Sequence, residues 1–166
     1  MNTLAQMRSN PFLSPLGKLL SNIEPWAQSV FLLGLRLYVA NVFFLAGLTK
    51  IRDWETTLLL FTEEYKVPLL PPDIAAVFGT GGELVLPVLL ALGLAGRFGA
   101  AGLFVMNIVA VVSYPGIAPA ALQGHVTWGV MLATVALFGS GKLSIDWTVC
   151  KAVWQRIGLK QTRAAV

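Results

Sequence analysis

Apolar residues in this chain are grouped into four long runs, at about 29–49, 74–95, 98–114 and 121–138. A helix rises 1.5 Å per residue, so roughly 17–25 predominantly apolar residues are needed to cross the hydrocarbon core of a bilayer. The first two runs meet this requirement comfortably, and the last two meet it at its lower limit. The pattern predicts four transmembrane helices and leaves no room for a soluble catalytic domain.

The overall composition agrees with a lipid environment. Hydrophobic residues make up 56% of the 166 residues and charged residues only 12%, whereas a soluble domain is typically about 25% charged. We therefore predict an all-α membrane protein, a four-transmembrane-helix bundle. Its membrane domain would extend over residues 29–147, after a cytoplasmic leader at 1–28.

A shorter helical pattern lies between the first two runs. Trp54, Leu58, Phe61 and Tyr65 recur at helical spacing, which predicts a helix of about 53–66 on the outer surface of the membrane. This outer interfacial helix is either a lid over a cavity or a plain connector.

The two ends of the chain lack a long apolar run. The leader at 1–28 is either an interfacial turn or a disordered lead-in. Residues 148–166 have the pattern of a basic amphipathic cytoplasmic helix suited to an anionic leaflet.

The positions of lysine and arginine predict the orientation. The connection at 50–73 combines basic residues with five acids, whereas the C-terminal part of the chain is basic. Its basic residues are Lys142, Lys151, Arg156, Lys160 and Arg163. Because basic residues flanking the spans stay inside, both termini should be cytoplasmic. The net charge of +4 is thus an orientation signal and does not indicate nucleic-acid binding.

Two lone charges lie within the first two runs. Arg36 is the only charge in 29–48 and Glu83 the only charge in 74–95. A charge near the bilayer centre costs at least ~2.5–3.5 kcal/mol on insertion scales. We therefore predict that Arg36 and Glu83 pair, and that Asn107 joins them in a polar cluster capable of proton exchange.

A second set of polar and aromatic residues is expected near the outer boundary. It consists of Lys50, Trp54, Tyr114, His125 and Trp128. One hypothesis is that they form the mouth of a ligand site in which His125 is the hydrogen-bond donor. The alternative is that the aromatic residues are an interfacial belt.

Several kinds of chemistry are excluded by residue counts. Cys150 is the only cysteine and His125 the only histidine. One chain therefore has no intrachain disulfide, no cysteine zinc cage and no pair of histidines for haem. No metal site and no catalytic residue are predicted.

Three motifs resemble the DoxX family. LRLYVANVFFLAGLTKIRDW resembles the opening of the family, with an arginine early in the first helix and Gly and Lys at its outer end. GTGGELVLPVLLALGLAGRFGAAGLFVMN is similar to the family's second helix, the following arginine and the third helix. GSGKLSIDW resembles the closing G-P-G-x-x-S-L-D, with Ser140 and Ile145 replacing the usual Pro and Leu.

The resemblance implies a four-helix protein of the bacterial inner membrane. DoxX relatives include the small subunit of a thiosulfate:quinone oxidoreductase, and others are linked to redox or sulfur stress and detoxification. A redox-associated subunit that binds a quinone between its helices is the first hypothesis. Because no redox centre is encoded, the chain would not be catalytic alone and would need a partner protein that carries one.

Two other functions fit the same pattern. The protein could be a structural or assembly partner whose buried charges fasten helices together. It could also be a small permease, which a four-helix chain achieves only as a homo-oligomer.

Overall fold

The computed structural model describes residues 14–152, and these form a helical bundle. The helices are α1 (Ser14–Arg52), α2 (Trp54–Glu63), α3 (Pro72–Leu92), α4 (Gly96–Ser113) and α5 (Pro119–Phe138). A further helix, α6, begins at residue 145 and continues to 152, the edge of the described range. Four helices, α1, α3, α4 and α5, are long and apolar enough to cross a membrane. The prediction of an all-α, four-span bundle is confirmed.

The four spans close into an antiparallel ring. α1 and α4 each pack against both α3 and α5. The core between them is apolar and includes Leu32, Val39, Phe43, Leu90, Leu103 and Leu132. Large apolar side chains also cover the outside of the ring, as expected of a surface that faces lipid tails.

The bundle has two distinct ends. The first, which we call the Arg97 end, contains the α3–α4 turn and the segment 139–152. The opposite end, which we call the α2 end, contains α2, the start of α3 and the α4–α5 connection. α2 packs against α3 and α1, and it is tied to α1 by the Thr57 hydroxyl, which donates to the Lys50 carbonyl at 2.9 Å.

Helix boundaries differ in detail from the sequence pattern. The helix predicted at 53–66 extends over Trp54–Glu63. It begins at Trp54 because Asp53 caps it by accepting the Thr56 N–H at 3.0 Å. α1 begins at Ser14 rather than near 29 and continues through Pro25. Residues 1–13 of the leader and 153–166 of the basic tail lie outside the described residues.

Candidate functional site

Arg36 is buried at the Arg97 end and binds backbone carbonyls. Its side chain is 1% exposed. Nη1 donates to the Ser140 carbonyl at 2.6 Å, and Nη2 donates to the Leu143 carbonyl at 2.8 Å and more weakly to Ala91 at 3.4 Å. The guanidinium therefore joins α1 to the end of α3 and to the segment that follows α5.

The predicted Arg36–Glu83 pair is wrong. Glu83 pairs with Lys50 instead, with Nζ and Oε2 2.6 Å apart. The reason is side-chain direction: a helical side chain leans toward the N-terminus of its own helix. α1 and α3 are antiparallel, so Arg36 leans toward the Arg97 end and Glu83 toward the α2 end. Lys50, near the end of α1, leans back into the bundle and meets Glu83.

The closing motif 139–146 completes the Arg97 end. The Asp146 carboxylate accepts the backbone N–H groups of Ala95 and Gly96, both at 2.9 Å. Gly93, which ends α3 with φ of +64°, lies so close to Arg36 that a Cβ there would be 2.5 Å from Nη1. Only glycine tolerates both this conformation and this approach. The motif and the arginine thus form one structural clamp, which sequence reasoning missed.

A cavity of about 500 Å³ opens at the α2 end, between the spans and α2. Most of its wall is apolar, with residues from α1, α3, α4 and α5 and from the segment around α2. Its polar side chains are Lys50, Glu83, Ser113, Tyr65, Tyr114 and His125. Polar groups on four elements therefore converge on one apolar space.

The Lys50–Glu83 pair forms part of this wall. The lysine side chain is 22% exposed and the glutamate 14%, so both charges are largely removed from solvent. Gly47 allows α1 to approach α3 here, since a Cβ at this position would be 3.1 Å from the Glu83 Cβ. The pair offers a cation and an anion side by side to any group in the cavity.

Asn107 fixes the state of the His125 ring. Its Nδ2 donates to the His125 carbonyl at 2.9 Å, and its Oδ1 lies 2.8 Å from His125 Nδ1. A carbonyl only accepts, so the amide nitrogen must face it and the amide oxygen must face the ring. Nδ1 therefore carries the proton. Neutral His125 presents the acceptor Nε2, where a donor was expected, and donates from Nε2 only when protonated.

Aromatic rings surround these polar groups. Trp128 contacts His125 edge-to-face at 5.0 Å, and Tyr65 contacts Tyr114 at 5.6 Å and Phe61 at 5.1 Å, each between ring centroids. Burial, and then the nearby Glu64 carboxylate, raises the pKa of the Tyr65 phenol above its ordinary value. Tyr65 therefore remains a protonated hydroxyl at physiological pH.

Ser113 adds a polar atom without a partner. The side chain is 3% exposed, and its hydroxyl has no hydrogen-bond partner among the described side chains of residues 23–152 or their backbone. Buried hydroxyls are usually hydrogen-bonded in folded proteins. Ser113 lies in the cavity wall, and its hydroxyl is buried within that wall.

The structure brings together most of the residues expected at a ligand mouth. Lys50, Tyr114, His125 and Trp128 line the cavity, whereas Trp54 is 37% exposed and is not among the residues that line it.

The expected polar cluster is divided between the two ends. Glu83 lies in the cavity wall, Asn107 lies behind His125, and Arg36 is at the opposite end. Phe61 and Tyr65 also line the cavity. The helical spacing of the 53–66 segment placed them on one face of a helix but did not predict what that face contacts. The functional role of these residues stays a prediction.

A comparison with known families assigns the chain. No curated protein and no solved structure matches it. The family model described as DoxX matches residues 31–116, just over half of the chain, including Arg36, Lys50 and Glu83. His125 and the closing motif lie beyond the matched part. The protein is therefore a member of the DoxX family, and its four apolar helices make it a multi-pass membrane protein.

Proposed function

We propose that the protein is the membrane subunit of a redox or stress-detoxification system and binds a quinone or a similar hydrophobic carrier in the cavity at the α2 end. The observation that carries the proposal is the mostly apolar cavity with convergent polar side chains. Small-molecule sites are typically apolar spaces of about 300–1,000 Å³ with a few placed polar groups. The cavity of about 500 Å³ lies within that range.

The polar groups match the two redox states of a quinone. The carbonyl oxygens of the oxidised ring accept hydrogen bonds, and the Lys50 ammonium and the Tyr114 hydroxyl can donate them. The reduced ring carries two hydroxyl groups, which donate to acceptors such as His125 Nε2 and the Glu83 carboxylate. Reduction consumes two electrons and two protons, and Glu83 and His125 are the proton-exchanging groups at the cavity.

The chain supplies binding and protons, and the electrons have to come from elsewhere. The sequence has one cysteine and one histidine, so a partner protein would carry the redox centre. Phe61 of α2 and the following Tyr65 line the cavity. In this proposal they form a lid, and the carrier enters beside it.

Filling the cavity should expel the carrier. Ala46 is half-buried in the cavity wall, so Ala46→Phe places a ring in the space a ligand would occupy. We expect organic extracts of the purified wild-type protein to contain quinone, measured by liquid chromatography with mass detection. Extracts of Ala46→Phe should contain at least about tenfold less, which corresponds to a loss of about 1.4 kcal/mol in affinity. Ala101→Phe is the matched control, since Ala101 is exposed on the outside of α4.

A second filling variant guards against misfolding. If Ala46→Phe does not purify as a folded protein, Ala121→Phe adds the same ring from α5. Equal quinone in a filled variant and in Ala101→Phe would refute binding at this cavity. Extracts without quinone from the wild-type protein would leave the structural or assembly role as the remaining function.

We further propose that the protein lies in the bacterial plasma membrane with both termini in the cytoplasm. The support is charge: Arg97, Lys142 and Lys151 lie at the Arg97 end, and basic residues flanking spans remain inside. The α2 end, with the cavity, then opens toward the outer leaflet.

Thiol labelling in intact cells measures this orientation. Thr62 and Ala118 are exposed at the α2 end, and Cys150 is exposed at the Arg97 end. Thr62→Cys and Ala118→Cys, each in a Cys150→Ser background, should react with a membrane-impermeant maleimide applied outside. Native Cys150 should react only after the cells are permeabilised, which serves as its reactivity control. Labelling of Cys150 in intact cells would contradict the orientation.

A further inference from the structure

A second, larger groove lies at the Arg97 end, on the opposite side of the bundle from the cavity. Its volume is about 890 Å³. It lies between the part of α1 around residues 25–32, the α3–α4 turn, and the segment 138–151. None of the residues that line it belongs to the proposed carrier site.

Three basic side chains from three segments line this groove. They are Arg97 at the start of α4, Lys142 in the closing motif and Lys151 in α6. Among the described side chains, those of residues 23–152, no ion pair involves any of the three. Asp146 also lines the groove, but its two oxygens already accept the N–H groups of the α3–α4 turn. The groove therefore has an excess of positive charge.

The backbone around two of these cations is well defined. The Arg97 guanidinium lies over Gly139, where a Cβ would be 3.3 Å from Nε. The Lys142 N–H donates to the Ser29 hydroxyl at 3.1 Å, and Lys142 Nζ lies 5.7 Å from the centre of the Trp26 ring. Both positions are thus built by contacts to α1 and to the end of α5.

The remaining surface of the groove is apolar. Phe98 is 81% exposed and Phe138 64% exposed, although both are large hydrophobic side chains. Trp147 is also exposed at the same end, and tryptophan is enriched at the level of lipid head groups. The groove therefore combines an apolar wall with a basic rim.

We propose that this groove binds one anionic glycerophospholipid. The phosphate is held by Arg97, Lys142 and Lys151, and the acyl chains lie along Phe98 and Phe138. Basic pockets between membrane helices are suited to such head groups. An inorganic phosphate would use the basic rim alone and leave the apolar wall uncovered, so the match of both surfaces favours the lipid.

The test compares retained lipids by native mass spectrometry. The protein is incorporated into nanodiscs that contain equal amounts of phosphatidylglycerol and phosphatidylcholine. It is then extracted, and its bound lipids are removed stepwise with increasing detergent. The test variant is Arg97→Gln/Lys142→Gln, which keeps the backbone N–H of residue 142 that donates to Ser29. The matched control is Arg52→Gln/Lys66→Gln, which removes the same charge from exposed positions at the α2 end.

We expect the wild-type protein and the control to retain phosphatidylglycerol in preference to phosphatidylcholine. The test variant should lose roughly tenfold or more of that preference, because each basic residue near an anionic surface contributes about a fivefold factor. Equal losses in the test and control variants would overturn the proposal. Displacement of the lipid by glycerol phosphate at equal concentration would also overturn it, since the site would then recognise only a free phosphate.

A second measurement does not depend on substitution. Cys150 is exposed and lines the same groove, so a bound lipid should shield it. We expect a neutral maleimide to react with Cys150 several-fold more slowly in nanodiscs of phosphatidylglycerol than in those of phosphatidylcholine. Equal rates in the two lipids would contradict occupation of the groove.

Discussion

Replacing Arg36 with methionine is expected to destabilise the folded bundle by about 3–5 kcal/mol, the largest effect of any single substitution considered for this protein. The change removes the charged donors that bind the Ser140 and Leu143 carbonyls at 2.6 and 2.8 Å. Each buried acceptor left without a partner costs about 1–3 kcal/mol. The free energy of unfolding, measured by denaturant titration in a fixed detergent, should fall accordingly.

Two further variants show whether this loss comes from the clamp. Arg36→Lys keeps the charge but replaces the planar fork with one compact ammonium, so we expect an intermediate loss. Arg52→Met is the matched control, because Arg52 is exposed at the α2 end and surface substitutions usually change stability by less than about 0.5 kcal/mol. An Arg36→Met protein as stable as Arg52→Met would show that the carbonyl clamp contributes nothing.

Separating Lys50 from Glu83 should give the second largest effect. Either Lys50→Met or Glu83→Gln disrupts an ion pair at 2.6 Å whose partners are 22% and 14% exposed. Loss of one partner from a fully buried pair costs about 3–5 kcal/mol. Because this pair retains some contact with the cavity, we expect about 1–3 kcal/mol for each single change. The double variant Lys50→Met/Glu83→Gln should recover part of the loss.

A second cycle serves as the control for this coupling. Arg36 and Glu83 belong to sites at opposite ends of the bundle and share no hydrogen-bond partner. Their losses should therefore add to within about 0.5 kcal/mol. The Lys50–Glu83 cycle should depart from additivity by more than that. If the Arg36–Glu83 cycle showed the coupling and the Lys50–Glu83 cycle did not, the pairing in the structure would be wrong.

The two proposed ligands place function at both ends of the bundle. The carrier cavity lies at the α2 end, beside Glu83 and His125, and the lipid groove lies beside Arg97. The Arg36 guanidinium joins the end of α3 to the segment after α5. Loss of quinone without loss of lipid, or the reverse, would therefore identify which site a substitution affects.

The four-span architecture could be predicted from the chain because lipid imposes a simple constraint. Backbone groups in hydrocarbon must bond within their own helix, so long apolar runs become helices whatever their neighbours are. Helix ends were less predictable. α1 extends back from the first apolar run to Ser14, because a hydropathy pattern marks only the part of a helix inside the hydrocarbon.

The partners of the buried charges depended on the arrangement of the helices in space. Arg36 and Glu83 were predicted to pair because each is the lone charge of its apolar run, but antiparallel packing turns the two side chains in opposite directions and brings Lys50 to Glu83 instead. The Arg36 clamp likewise joins residues more than a hundred positions apart, and no local pattern encodes such a contact. Apolar spans follow from composition, whereas pairing, cavity and groove require the rotation and direction of each helix, which are set only when the helices pack.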